Sequence, residues 1–341
     1  MTGSVPFDQA VPFDQAVPFD QHRRTAYAPE ELFDGFDPAR PESFGETADF
    51  ASFRWFVATG RGTPMDAGEA VQRAVHDANV TFDLGTIIAG RRVVGIMGGH
   101  QLPRDSADYR RVAELARDLA RRGMLVCSGG GPGAMEASHV GAGHAGHPDP
   151  AIDETIAALA VVPRMPDLHG ILSVDGTPDP ALVRAAGEWF APAWLASRAI
   201  ADPVETLSIP TWHYGHEPSS PFATRIAKLF QNSIREDGLL TIARQGIVFT
   251  RGSAGTLQEV FQDAQQNFYA QHPDFFSPMV FLGREYWTRV LPVGPLLDAL
   301  FAMAAPEVRA EAGRLVIVTD DIAEAAAHLE AFSGPASRLA R

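Results

Sequence analysis

Residues 246–261 read Gly-Ile-Val-Phe-Thr-Arg-Gly-Ser-Ala-Gly-Thr-Leu-Gln-Glu-Val-Phe, an order that specifies a strand, a glycine turn and a helix. The apolar run 246–250 is short and rich in strand formers, as a strand covered on both faces requires. From 255 to 268 the apolar residues recur at helical spacing instead. The same change of texture recurs on either side. Strands are expected at 92–97, 124–128, 207–212, 278–282 and 314–318, and helices at 109–122, 133–145, 221–236, 285–304 and 320–332. Residues 156–162 read as either a strand or a helix end. Alternation of this kind predicts an α/β fold, a doubly wound parallel sheet with helices on both faces.

The N-terminal part has a different texture. Val-Pro-Phe-Asp-Gln-Ala begins at Val5, repeats from Val11 and returns truncated from Val17. A period of six with proline in each copy fits neither helix nor strand, and three copies are too few for a solenoid. Residues 1–48 are therefore expected to be a disordered or irregular tail, with 26–48 wrapping the domain surface. A docking motif is the alternative use of the repeat. The remainder, 49–341, is expected to be one domain, with an insertion rich in Pro and Trp at about 163–203.

Composition narrows the partners. The 341 residues carry 28 basic and 42 acidic side chains, a formal net charge of -14. Nucleic acid and anionic membrane surfaces both demand a basic face, so neither is expected as a partner. A small phosphorylated ligand needs only a few amides and one arginine. Cys127 is the single cysteine, which excludes an intramolecular disulfide and argues against a cysteine-based zinc site. It lies in an apolar run and is expected to be a buried, inert thiol. No stretch has the length of a membrane span and no secretory leader is evident, so a cytoplasmic location is expected.

Glycine-rich segments at 95–99, 128–133 and 252–255 each follow an expected strand. In an open parallel sheet, ligands bind beyond the carboxyl ends of the strands. Glycine there lets backbone N–H groups approach an oxyanion at the start of a helix. No segment has the G-x-G-x-x-G register with its ribose-binding acid, and no phosphate loop with a Gly-Lys-Ser/Thr end occurs, which disfavours dinucleotide dehydrogenases and P-loop NTPases. Gly252, Ser253, Ala254, Gly255 and Thr256 are candidates to cradle a phosphate. Glu259 falls about one turn into the following helix. It either gains about 0.3–1 kcal/mol from the helix dipole, or faces the ligand, where it would stabilise an oxocarbenium-like transition state.

His213, Tyr214, His216 and Glu217 cluster after an expected strand, but not at the helical spacing of a zincin, so a pocket-lining loop is favoured over a metal site. Trp212 or Tyr214 would then stack on a base. His100, His139 and His144 are expected to contribute hydrogen bonds. Asp263 would either orient Glu259 or lie at the surface, and Asn267 and Tyr269 would close the helix.

At these residues the sequence resembles the LOG (Lonely Guy) family, often labelled lysine decarboxylase-like. The segment Gly129-Gly-Gly-Pro-Gly-Ala-Met135-Glu136 is similar to the family's G-G-G-x-x-G-x-M motif. Arg251-Gly-Ser-Ala-Gly-Thr-Leu-Gln-Glu259 is similar to its P-G-G-x-G-T-x-x-E motif, with Arg251 in place of proline and Ser253 in place of the second glycine. The match spans roughly 92–329. It implies a Rossmann-like, usually dimeric enzyme that hydrolyses the N-glycosidic bond of nucleoside 5′-monophosphates to free base and ribose 5-phosphate, without metal or organic cofactor. Glu259 matches the family's catalytic glutamate. Arg235 takes the place of its arginine with a one-residue offset, and Arg225 is the reserve candidate. Gly129, Gly130, Gly131, Gly133, Met135 and Glu136 would bind nucleotide, and Gly98 and Gly99 would lie near base and ribose. The Arg251 and Ser253 departures leave open an altered substrate choice, or a nucleotide sensor or carrier that does not cleave its ligand.

Overall fold

The computed structural model describes residues 17–215, 217–270 and 275–332. The first two hexapeptide copies and His216 lie outside the described residues. Seven strands are present: β1 Val93–Met97, β2 Leu125–Ser128, β3 Leu207–Ser208, β4 Arg225–Ile226, β5 Gly246–Phe249, β6 Met279–Leu282 and β7 Val316–Thr319. They form one all-parallel sheet in the order β4-β3-β2-β1-β5-β6-β7. The helices, in chain order, are α1 Pro29–Leu32, α2 Ala48–Ala58, α3 Ala67–Ile88, α4 Ala107–Arg121, α5 Ala134–Gly143, α6 Asp149–Leu159 and α7 Pro180–Ala199. They continue with α8 Asn232–Ile242, α9 Ala254–Phe268, α10 Gly294–Ala302, α11 Pro306–Leu315 and α12 Ile322–Ala331. The architecture is the Rossmann-like doubly wound one.

Strand residues divide by parity between two cores. Val93, Met97, Leu125, Cys127, Ile247, Phe249, Met279 and Phe281 meet α3, α8, α9, α10 and α11 on one face. Val94, Ile96, Val126, Val248, Val280 and Leu282 meet α4, α5, α6 and α12 on the other. Because both faces are covered, the strands show no polar alternation. Cys127 is buried among them, and burial pushes its thiol up to about 12, which leaves it unreactive. No helix among the described residues is long and apolar enough to cross a membrane.

A third core lies at the β4 edge. Phe33, Phe36 and Phe44 from the segment expected to be an irregular wrap are buried with Phe53, Phe56, Trp189, Phe190, Trp212 and Phe230. The third hexapeptide copy joins them, since the Phe19 ring lies 4.6 Å from that of Phe230 and 5.0 Å from that of Trp55. Tyr27 exchanges both backbone hydrogen bonds with Ile226, at 2.8 and 2.9 Å. The described part of the N-terminal stretch thus closes a sheet edge that would otherwise be open to pairing.

The differences from expectation have separate local causes. The helix expected at 221–236 is a strand followed by a helix: Arg225–Ile226 is drawn into the sheet between β3 and Tyr27, and α8 begins only at Asn232. Its start is fixed by the Asp77 carboxylate, which accepts from Phe230 N at 3.0 Å and Gln231 N at 2.8 Å. The strand expected at 207–212 stops at Ser208, because Thr211 caps a short 3-10 turn at Trp212–Tyr214. Residues 156–162 include the end of α6. The insertion holds the twenty-residue α7, opened by Asp179 and Pro180, which keeps its helix through Pro192. Residues 285–304 are broken after Tyr286–Val290, where Pro292 prevents a continuous helix, and resume as α10.

Candidate active site

β1 has β2 on one side and β5 on the other, and the chain winds outward from it in both directions. Such a reversal opens a crevice beyond the carboxyl ends of the two central strands. The turns after β1, β2 and β5 are the three glycine segments, so they lie side by side. Gly99 N donates to Arg251 O at 2.9 Å, and Ala134 N donates to Gly99 O at 3.1 Å, which joins all three. Gly133 adopts φ +68, and a methyl there would overlap Gly99 O and stand 2.7 Å from His100 O. A Gly133→Ala chain should therefore melt several degrees lower, for a cost of about 1–3 kcal/mol in strain alone. Gly255, where a methyl meets nothing within 4 Å, is the control. Equal melting points for the two variants would show that close packing of the turns does not depend on glycine.

Helix α9 starts at Ala254 behind Ser253, whose side chain makes no capping bond, so its first amides remain free for an anion. Ser253, Ala254 and Gly255 are exposed, whereas Thr256 is buried with its side chain against Gly252. Glu259 follows on the same face of α9, three residues beyond Thr256. It is partly buried, and desolvation pushes its carboxyl up to about 7 against the opposing pull of Arg235, with Glu236 adding to the rise. Arg235, on α8, donates from Nε to Ile209 O at 3.0 Å, and its Nη2 lies 2.7 Å from where a side chain on Gly129 would begin. The guanidinium on α8 thus lies against the turn at Gly129 and close enough to the α9 carboxylate to oppose the rise of its pKa. The Met135 sulfur packs over Gly129 and its methyl over Gly131.

Several expected roles move. Glu136 does not face the cleft: it is buried, accepts from Arg104 at 2.7 and 2.8 Å and from Tyr109 Oη at 2.9 Å, and acts as a structural anion. Arg225 is on the edge strand β4, paired with Glu205 at 3.1 Å, which removes it as the alternative to Arg235. Trp212 is no base platform, being fully buried, stacked on Phe230 and bonded through Nε1 to Asp49, which also pairs with Lys228. Tyr214 stays exposed. The His139 ring nitrogens have no hydrogen-bond partner among the described residues, and burial pushes the ring down to about 3, so it is a neutral core residue. His144 bonds Val140 O and Thr155 inside the fold. Asp263 is buried beside Ser277, and Asn267 ties the end of α9 to the Ser277 backbone. Arg251 reaches outward over the Tyr286 ring. No group of three or more potential metal ligands occurs among the described residues.

Glu217, expected only as part of a pocket-lining loop, lies beside the second glycine turn. Its loop is pinned to the glycine turn by Ser220 N, which donates to Gly130 O at 2.8 Å, and its Oε1 lies 3.7 Å from His100 Nδ1. The only signal was its position beside His213 and Tyr214. No protein-family model matches the chain, and no curated protein matches it significantly.

Proposed function

We propose that the chain hydrolyses nucleoside 5′-monophosphates at the N-glycosidic bond, releasing free base and ribose 5-phosphate. The observation that carries this reading is the meeting of Glu259 and Arg235 over the glycine turns at the β1/β5 crevice. In this reading the free amides at Ser253–Thr256 hold the phosphate, and Arg235 orients phosphate or ribose. The Glu259 carboxylate offsets the positive charge that develops at the anomeric carbon and takes a proton from the attacking water. Water, position and charge suffice, so the proposal includes no metal or organic cofactor. A homodimer, which the LOG resemblance implies, is part of the proposal and is checked by light scattering.

Release of base from a panel of purine and pyrimidine 5′-monophosphates, followed by chromatography, tests the reading. Only ionised Glu259 serves, so kcat/KM should climb as pH passes through about 7 and Glu259 loses its proton. Flat activity between pH 5.5 and 7.5 would remove Glu259 from that role. Tight binding of a nucleotide that survives long incubation intact would favour the sensor instead.

A further inference from the structure

We propose that Glu217 is the proton donor to the departing base, an inference that rests on the N-glycosidase reading. Its Oε2 lies 3.1 Å from where a side chain on Gly131 would begin, just as Arg235 is seated on Gly129 two residues earlier. Carboxyl and guanidinium thus occupy neighbouring seats on one turn. Glu217 N donates to Tyr214 O at 2.8 Å, and the Ser220–Gly130 bond anchors the far side of the loop, so the seat is fixed at both ends. A cleft of about 460 Å³ is bounded by His100, which Glu217 approaches, by Pro132 next to Gly131, and by Met165 and Trp189. With the phosphate at the α9 end and ribose over Gly129–Gly131, the base falls into this cleft. Glu217 then stands at the junction of ribose and base.

The chemistry needs a group there. As the bond between C1′ and the base nitrogen breaks, its electron pair stays on the base, which leaves as a neutral molecule only if a ring nitrogen is protonated. Glu217 gives that proton, water adds to C1′, and the water's proton passes to Glu259. Base, ribose 5-phosphate and a proton on the other carboxylate result. Solvent returns the proton through His100, whose side chain is 38% exposed against 16% for Glu217. Burial raises the Glu217 carboxyl above its ordinary range, opposed by His100 from the β1 turn, Arg235 from α8 and His169 from the insertion.

The test compares two leaving groups in the full chain: a purine 5′-monophosphate and p-nitrophenyl riboside 5-phosphate, whose phenolate departs unprotonated. Glu217→Gln should lose about 10²–10⁴-fold on the purine nucleotide and stay within a few-fold of the native chain on the nitrophenyl compound. Formate should restore part of the purine activity to Glu217→Ala. Equal losses on both substrates with no formate rescue, or no loss on either, overturn the assignment. A native chain that releases nitrophenol but no base also overturns it and leaves the ribose phosphate pocket standing. Release of neither overturns the hydrolase reading and this inference together.

Discussion

Glu259→Gln is expected to slow base release by at least about 10²-fold, with substrate binding little changed, as for loss of one preorganised electrostatic group. The substitution keeps the shape of the side chain and removes only its charge and basicity. The same change should stabilise the fold at neutral pH. The folded chain holds the Glu259 proton up to about 7, whereas the unfolded chain releases it near the ordinary value of 4.5. Between those values the folded state binds more proton, so native stability falls as pH rises through the window and the loss is complete above it. Glutamine has no such dependence. The variant should therefore melt above the native chain at pH 8, and the gap should close towards pH 4. Loss of activity with no pH-dependent gain would place Glu259 in a more solvated setting than the cleft provides. A gain without loss of activity would separate the buried carboxylate from catalysis.

Parts of this cleft were legible because local chemistry alone decides them. The runs around Val93–Met97, Gly246–Phe249 and Met279–Leu282 are strands in any covered sheet, and the glycine turns sit at their ends. Glu259 could be put one turn into the helix after such a turn, whereas Arg235 was assigned only through the LOG resemblance, on a helix whose start the sequence misplaced. What stayed hidden depends on residues distant in sequence. β3 and β4 are two residues each, and β4 exists because β3 and Tyr27 pair with it from either side. The start of α8, and so the aim of Arg235, depends on Asp77, 154 residues before Gln231. Asp77 is held in turn by His76 Nδ1 at 2.9 Å, and His76 Nε2 is bonded to Tyr27 Oη at 2.7 Å. The N-terminal stretch that composition marked as a tail thereby reaches the site through four residues. Glu136 shows the opposite error, since a motif position was assigned to ligand although its charge is already matched inside the fold.

That match makes the second strong expectation. Arg104→Met should destabilise the chain by about 3–5 kcal/mol, because it leaves the Glu136 carboxylate buried with Tyr109 as its remaining side-chain partner. Arg104 is itself almost wholly buried: Nη1 donates to Trp189 O at 2.9 Å, its guanidinium lies 3.9 Å over the Trp189 ring, and its backbone N donates to Pro163 O at 2.9 Å. One side chain thus ties the turn after β1 to α5 and α7, and the loss should lower the melting point by roughly 4–7 °C. Two charges hidden from water are worth little more than two apolar groups of the same volume, so Arg104→Met with Glu136→Leu should recover most of the loss. If the double variant stays as unstable as Arg104→Met, the loss lies in the Trp189 and Pro163 contacts of Arg104 and not in the stranded Glu136 charge.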